Sequence, residues 1–277
     1  MNRNPPQALL PLGELMFELT PYLIGLAALM SMGVITWFIS IPRRDVSIVD
    51  SLWSMMFVAA ALVYYFTAEQ TGPRALLVLV LISIWGLRLC AYITWRNWGE
   101  AEDRRYQAIR ANNEPNFTFK SLYIVFLLQA MIAWIVSLPL QTSISGDVPL
   151  GLVDYLGVGV WALGMLFEAG GDYQLTRFKA DPANAGQVMD RGLWRYTRHP
   201  NYFGNACIWW GFGLIALGSG SLWSLISPVI MTLLLLKVSG VSLLEQDIGE
   251  RRPAYADYIQ RTSAFLPWWP RKPECGR

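Results

Sequence analysis

The chain has 277 residues, 54% of them hydrophobic and 15% charged, with a formal net charge of +2. The apolar share exceeds that of soluble domains and the charged share falls below it; the basic residues are dispersed between apolar blocks, leaving no basic face for nucleic acid. Three cysteines (Cys90, Cys207, Cys275) without metal-ligand spacing and a single histidine give little from which to build a zinc or haem site, so no metal centre is expected.

The N-terminal MNRNPPQALLPLGE lacks the basic start, short apolar core and small-residue cleavage site of a leader peptide, so the first apolar block is expected to stay as a span. Apolar blocks of roughly 20 residues, enough to cross a hydrocarbon core of about 30 Å as helix, recur along the chain. They lie at Leu19–Ile41, Ser51–Thr67, Ala75–Trp95, Leu122–Leu140, Leu150–Ala169, Tyr202–Gly218 and Leu222–Leu243, the last two parted by the turn Gly218–Ser221. The expected fold class is all-α: a polytopic membrane protein, a seven-helix bundle forming one integral domain over residues 1–277.

The connecting segments set an orientation. Arg43 and Arg44 follow the first span, Arg96, Arg104, Arg105, Arg110 and Lys120 the third, and Arg177, Lys179, Arg191, Arg195 and Arg198 the fifth. Arg251, Arg252, Arg261, Arg271, Lys272 and Arg277 follow the seventh, whereas the opposite ends hold only Arg3 and Arg74. The positive-inside rule then puts the N-terminus outside and the C-terminus in the cytoplasm, which an odd number of spans requires. The outer connections are short, so soluble cofactors would be met on the cytoplasmic side. Gly157, Gly159 and Gly164 in the fifth span and Gly204, Gly211 and Gly213 in the sixth permit close helix contacts. Trp161, Trp209, Trp210, Trp268 and Trp269 suit core filling or interfacial anchoring.

Charge inside a span is costly and marks functional candidates. Asp50, Arg88, Glu168, Asp172, Glu245 and Asp247 all fall toward the cytoplasmic half. Asp50 shares a helix face with Trp53 at i+3, Arg88 with Tyr92 at i+4, and Glu168 with Asp172 at i+4. The alternative role is structural, Arg88 pairing with Asp50, Glu168 or Glu245, although a buried pair barely repays its desolvation. Lys237 lies near enough to a span end to snorkel.

The densest polar stretch is Arg191–Asn205, RGLWRYTRHPNYFGN, which gathers Arg191, Arg195, Arg198, His199, Asn201 and Tyr202 between apolar runs. Such donors and cations at the mouth of a hydrophobic bundle want an anion, either a phosphate-bearing cofactor or lipid head groups. Pro200 suits the first turn of the sixth helix, whose free N–H groups and dipole favour a diphosphate. Asn184 and Gln187, in the polar loop before it, can hydrogen-bond a ribose or an amide.

The run DYQLTRFKADPANAGQVMDRGLWRYTRHPNYFGNACIWWG from Asp172, and the tail GERRPAYADYIQRTSAFLPWWP, resemble the C-terminal half of the steroid 5α-reductase family, specifically bacterial members of undetermined substrate. The resemblance covers about the last 110 residues of the chain, and Asp50–Trp53 and Trp85–Arg104 more loosely. It implies a multi-pass inner-membrane oxidoreductase that uses NADPH to reduce a C=C bond of a lipid entering from the bilayer. Residues 19–140 would form the substrate side and 150–277 the cofactor side. Asn201, Asp172, Tyr173, Lys179, Tyr258 and Arg88 correspond to family positions. Departures lie mainly on the substrate side: Val49–Asp50 stands where steroid-reducing members have Gln–Glu, and Trp85 where they have a tyrosine. Asn205 replaces a glutamate.

On this reading Asp50 donates the proton, with Tyr92 second and Arg88 beside them. Arg105, Lys179, Arg195 and Arg198 hold phosphates. His199, Asn201, Tyr202 and Asn184 hold ribose or nicotinamide, with Asp172, Tyr173, Glu245 and Tyr258 completing the cofactor site. Membrane isoprenylcysteine and phospholipid methyltransferases resemble the same Arg–His–Pro–x–Tyr stretch, followed by a glutamate near the last span (Glu245, in Glu245–Gln246 here), so a methyltransferase using S-adenosylmethionine is the rival. A lipid-binding scaffold is the third reading.

Overall fold

Proline opens three of the helices. Pro73, Pro139 and Pro200 each stand in a first turn, where the missing N–H leaves no intrahelical bond unmade. The computed structural model describes residues 17–238 and 254–271, all-α but for one isolated bridge between Thr71 and Gly146. The helices are α1 (Leu19–Arg43), α2 (Ile48–Thr67), α3 (Pro73–Asn97), α4 (Arg104–Asn113), α5 (Phe117–Val136), α6 (Leu138–Ile144), α7 (Leu152–Ala180), α8 (Pro200–Gly218), α9 (Ile226–Leu233) and α10 (Ala254–Arg261). Leu122–Leu127 within α5 and Leu234–Val238 after α9 are π-helical.

Five of these, α1, α2, α3, α5 and α7, are long and apolar enough to cross a membrane. Expected and observed spans differ where the sequence holds a break or lacks one. The fourth expected span stops at Val136, because Pro139 has no N–H for the Ile135 carbonyl and its ring crowds it. Ser227 Oγ donates to that carbonyl instead, at 3.2 Å, and so ties α9 to α5. The fifth span runs past Ala169 to Ala180, since no proline interrupts it before Pro182. Glu168 and Asp172 therefore lie well inside a helix and not at its end. The sixth, α8, is long enough but diluted by Asn201, Asn205 and tryptophans, and the described part of the seventh is short; residues 239–243 of it lie outside the described residues.

Glycine sets the closest helix contact. A Cβ on Gly164 would stand 2.6 Å from the Gly204 carbonyl oxygen, and one on Gly204 2.3 Å from the Glu168 nitrogen. One on Gly211 would meet the Gly157 carbonyl oxygen at 2.8 Å. The α7 and α8 backbones touch there, as small residues allow in apolar surroundings, and this brings Glu168 and Asp172 beside Asn201 and Asn205. Gly159, expected to share in the contact, faces open space, and Gly213 packs against Pro228 and Leu225 of the following segment. Replacing Gly204 with alanine is expected to cost about 1–3 kcal/mol by overpacking, read as a lower unfolding midpoint, whereas Gly159→Ala should leave that midpoint unchanged.

Trp85, Trp209, Phe57 and Phe212 fill the centre of the bundle, and Trp161 is buried beside Gly211. Trp268 and Trp269 are exposed on the tail. At the end of the bundle away from α4, Arg74 is buried and bonded throughout: Nε and Nη2 donate to Asp154 at 2.7 and 2.9 Å, and Nη1 and Nη2 also reach the carbonyls of Val148, Pro149 and Gly218. One side chain thereby fastens α3 to the start of α7 and the end of α8.

Candidate functional site

The opposite end of the bundle is hollow. A cavity of about 1020 Å³ lies between α2, α3, α4, α5, α7, α8 and the tail helix α10. That is the upper range of small-molecule sites. One wall is apolar, from Trp53, Ile124, Val125, Leu128, Ile132, Leu234 and Leu235. Both π-helical stretches contribute to it, and such turns recur at functional sites. Leu128 lines the cavity and is half exposed.

Asp50 opens α2 facing this space with Trp53, as the i+3 spacing predicts. Its two oxygens accept hydrogen bonds from Arg105 Nη2 (2.8 Å) and the Tyr106 hydroxyl (2.7 Å), and Gln129 Nε2 donates to Tyr106 at 3.0 Å. Arg105 is oriented by Asp103, which also caps α4 by accepting from the Arg105 backbone N–H. Burial works against the Arg105 charge, yet Asp50 and Asp103 hold its pKa above the usual arginine value. Burial raises the Tyr106 phenol too, and the Asp50 charge adds to this, so Tyr106 stays an O–H donor. Among the described residues Arg105 Nη1 has no hydrogen-bond partner.

A second polar group lines the α7–α8 side. Arg88 Nη1 donates to Glu168 (2.9 Å) and its Nη2 to Asp172 (2.5 Å). Trp85 Nε1 and Asn205 Nδ2 also donate to Glu168, both within 3.2 Å, and Asn201 Nδ2 donates to Asp172 at 3.3 Å. Among the described residues Asn205 Oδ1 is buried without a partner. The His199 ring stacks on Tyr202 with centroids 5.5 Å apart, and both line the cavity.

Of the residues expected at the site, the cavity wall holds Asp50, Tyr92, Arg105, Asp172, Lys179, Asn184, Arg198, His199, Asn201, Tyr202 and Tyr258. Three are placed differently. Arg88 lies behind Glu168 and Asp172 and is not on the wall, because it pairs with both. Tyr173, about 100° round α7 from Asp172, is 65% exposed and off the wall. Arg195 ends the 3₁₀ turn Gly192–Arg195, whose Trp194 is buried, and is itself exposed and off the wall. Glu245, with Asp247, lies outside the described residues.

Some wall residues are also committed elsewhere. Arg198 Nη1 donates to the Ile259 and Thr262 carbonyls, capping the C-terminal end of α10. The Tyr258 hydroxyl donates to the Trp194 carbonyl, and Asn184 Nδ2 to that of Phe178 at 3.0 Å. Tyr92 shares a 3.3 Å hydrogen bond with Thr176, between α3 and α7. The sequence reading passed over Tyr106, Gln129, Arg96 and the acceptor of Asn205. Gln129, a lone amide in an apolar span, carried a signal of the kind that flags a site.

A protein-family model described as a protein of unknown function, DUF1295, matches residues 36–262. An uncharacterized protein of Schizosaccharomyces pombe is 24% identical over 280 aligned residues, covering 91% of this chain and 81% of that protein. No solved structure matches. The family match spans the helices and loops that wall the cavity, and the chain is a member of the DUF1295 family.

Proposed function

We propose that the chain is a membrane-embedded reductase that uses NADPH to saturate a C=C bond in a lipid. The observation that carries this reading is a single cavity in which a polar face, with the opening turn of α8 and the Asp50–Arg105–Tyr106 group, meets an apolar wall. The resemblance of the Asp172–Gly211 run and the tail to 5α-reductases points the same way. We take α8 and the segment beginning at Leu222 as the sixth and seventh spans, with the cavity mouth toward the cytoplasm of a bacterial inner membrane.

The donor chemistry fits a dinucleotide. Arg105 Nη1, Lys179 and Arg96 are cations on the cavity wall for phosphates, and Asn184, Asn201 and Tyr202 offer polar groups for ribose and carboxamide. Arg198 contributes by fixing the tail helix that closes the site. NADPH supplies the hydride when bound. The remaining proton needs an O–H in the cavity. Asp50 stands as an acceptor, so the proton is assigned to the Tyr106 hydroxyl that it orients, with Arg105 beside the ring (5.7 Å from Cζ to centroid) to offset the charge left behind.

Titrating the purified chain in lipid nanodiscs with NADPH and with S-adenosylmethionine tests the reading. NADPH should bind, and Lys179→Ala should weaken it about tenfold by removing a charged donor. Binding of the methyl donor without binding of NADPH would give the site to methyl transfer instead.

A further inference from the structure

Two buried carboxylates share one guanidinium on the α7–α8 side of the cavity. Glu168 is 2% exposed and Asp172 4%, both line the hollow, and Arg88 is the cation bonded to each. Their other hydrogen-bond donors, Trp85, Asn201 and Asn205, are neutral. Among the described residues, Arg88 is the cation in contact with the two carboxylates: Asp50 is matched by Arg105 across the cavity, Arg198 is bonded to the α10 carbonyls, and Arg96, which acts on Asp172 from a distance, and Lys179 are exposed toward the rim. This part of the wall thus holds one carboxylate beyond what its guanidinium neutralises. Beside it stands Asn205 Oδ1, a carbonyl oxygen on a residue 9% exposed, which has no hydrogen-bond partner among the described residues. Buried acceptors are rarely left so. A ligand group that answers both features carries N–H donors and positive charge.

We propose that this end of the cavity receives the nicotinamide ring, and that its surplus carboxylate favours the oxidised, cationic ring over the reduced, neutral one. The inference rests on the reductase reading above. The ring's carboxamide N–H suits Asn205 Oδ1. Hydride transfer moves two electrons and one proton to one carbon of the lipid double bond, the Tyr106 proton goes to the other carbon, and the cofactor is left with a positive ring. Glu168 and Asp172 lie where that charge develops, and fixed opposite charge in a water-poor site stabilises the transition state.

The affinities of the full chain in nanodiscs for NADP⁺ and for NADPH test this without turnover. Wild type should bind NADP⁺ more tightly, by about tenfold or more for a charge pair at close range in a protein interior. Glu168→Gln should bring the ratio toward one, and Asp172→Asn should do the same. A merely structural role would weaken both nucleotides alike. A wild-type ratio near one, or a ratio that neither substitution moves, overturns the inference and leaves the reductase reading standing. Failure of wild type to bind either nucleotide removes both.

Discussion

Arg74→Leu is expected to destabilise the fold by about 3–5 kcal/mol, the cost of leaving the other member of a buried ion pair uncompensated. Asp154 would keep only the Gly151 N–H, at 2.8 Å, among the donors outside its own residue, and the carbonyls of Val148, Pro149 and Gly218 would lose their shared donor. The loss should appear as a large drop in the unfolding midpoint of detergent-solubilised protein. The double replacement Arg74→Leu, Asp154→Leu should recover most of it, because removing both charges also removes their desolvation. If the double variant is as unstable as the single one, the carbonyl contacts carry the stability and the ion pair does not.

Tyr106→Phe is expected to lower turnover by about 10²–10⁴-fold, the range for losing a general acid, with NADPH affinity retained. Phenylalanine keeps the ring against Ile109 and its neighbours and removes only the hydroxyl that Asp50 accepts and Gln129 addresses. Asp50→Asn should lower turnover less, since an amide oxygen can still accept from Tyr106 while the Arg105 charge loses its partner. The reverse order, a severe Asp50→Asn and a mild Tyr106→Phe, would return the proton to Asp50. Neither substitution should change the ratio of NADP⁺ to NADPH affinity, which separates this pair from Glu168 and Asp172.

Much of the site could be read from local patterns. Helical spacing placed Asp50 with Trp53 and Glu168 with Asp172, and Pro200 marked the start of α8 correctly. Arg74 shows where counting fails. Tallied as one of two basic residues at an outer end, it is an internal fastener whose partner lies 80 residues away, and periodicity carries no record of such pairs. Arg195 and Tyr173 were placed by neighbourhood in sequence, but a 3₁₀ turn and a helix face turn them outward. Arg198 faces the hollow as expected, yet spends hydrogen bonds on a tail that no local pattern joins to it. The unbonded oxygen of Asn205 depends on how α7 and α8 meet at glycine, a matter of three-dimensional contact alone.

The wall that closes the hollow is also the last to be made. Tyr255 and Tyr258 belong to it, and the segment is held to the Trp194–Arg198 loop by Tyr258, by Thr197 Oγ1 on the Phe265 carbonyl (2.9 Å) and by the Trp268 N–H on the Tyr196 carbonyl (2.9 Å). A ribosome must therefore release the polypeptide as far as α10 and the segment after it before the chamber has all its sides. Until then the nascent helices stand in the bilayer around an open trough, and a chain arrested just short of α10 would be inserted but unable to enclose anything.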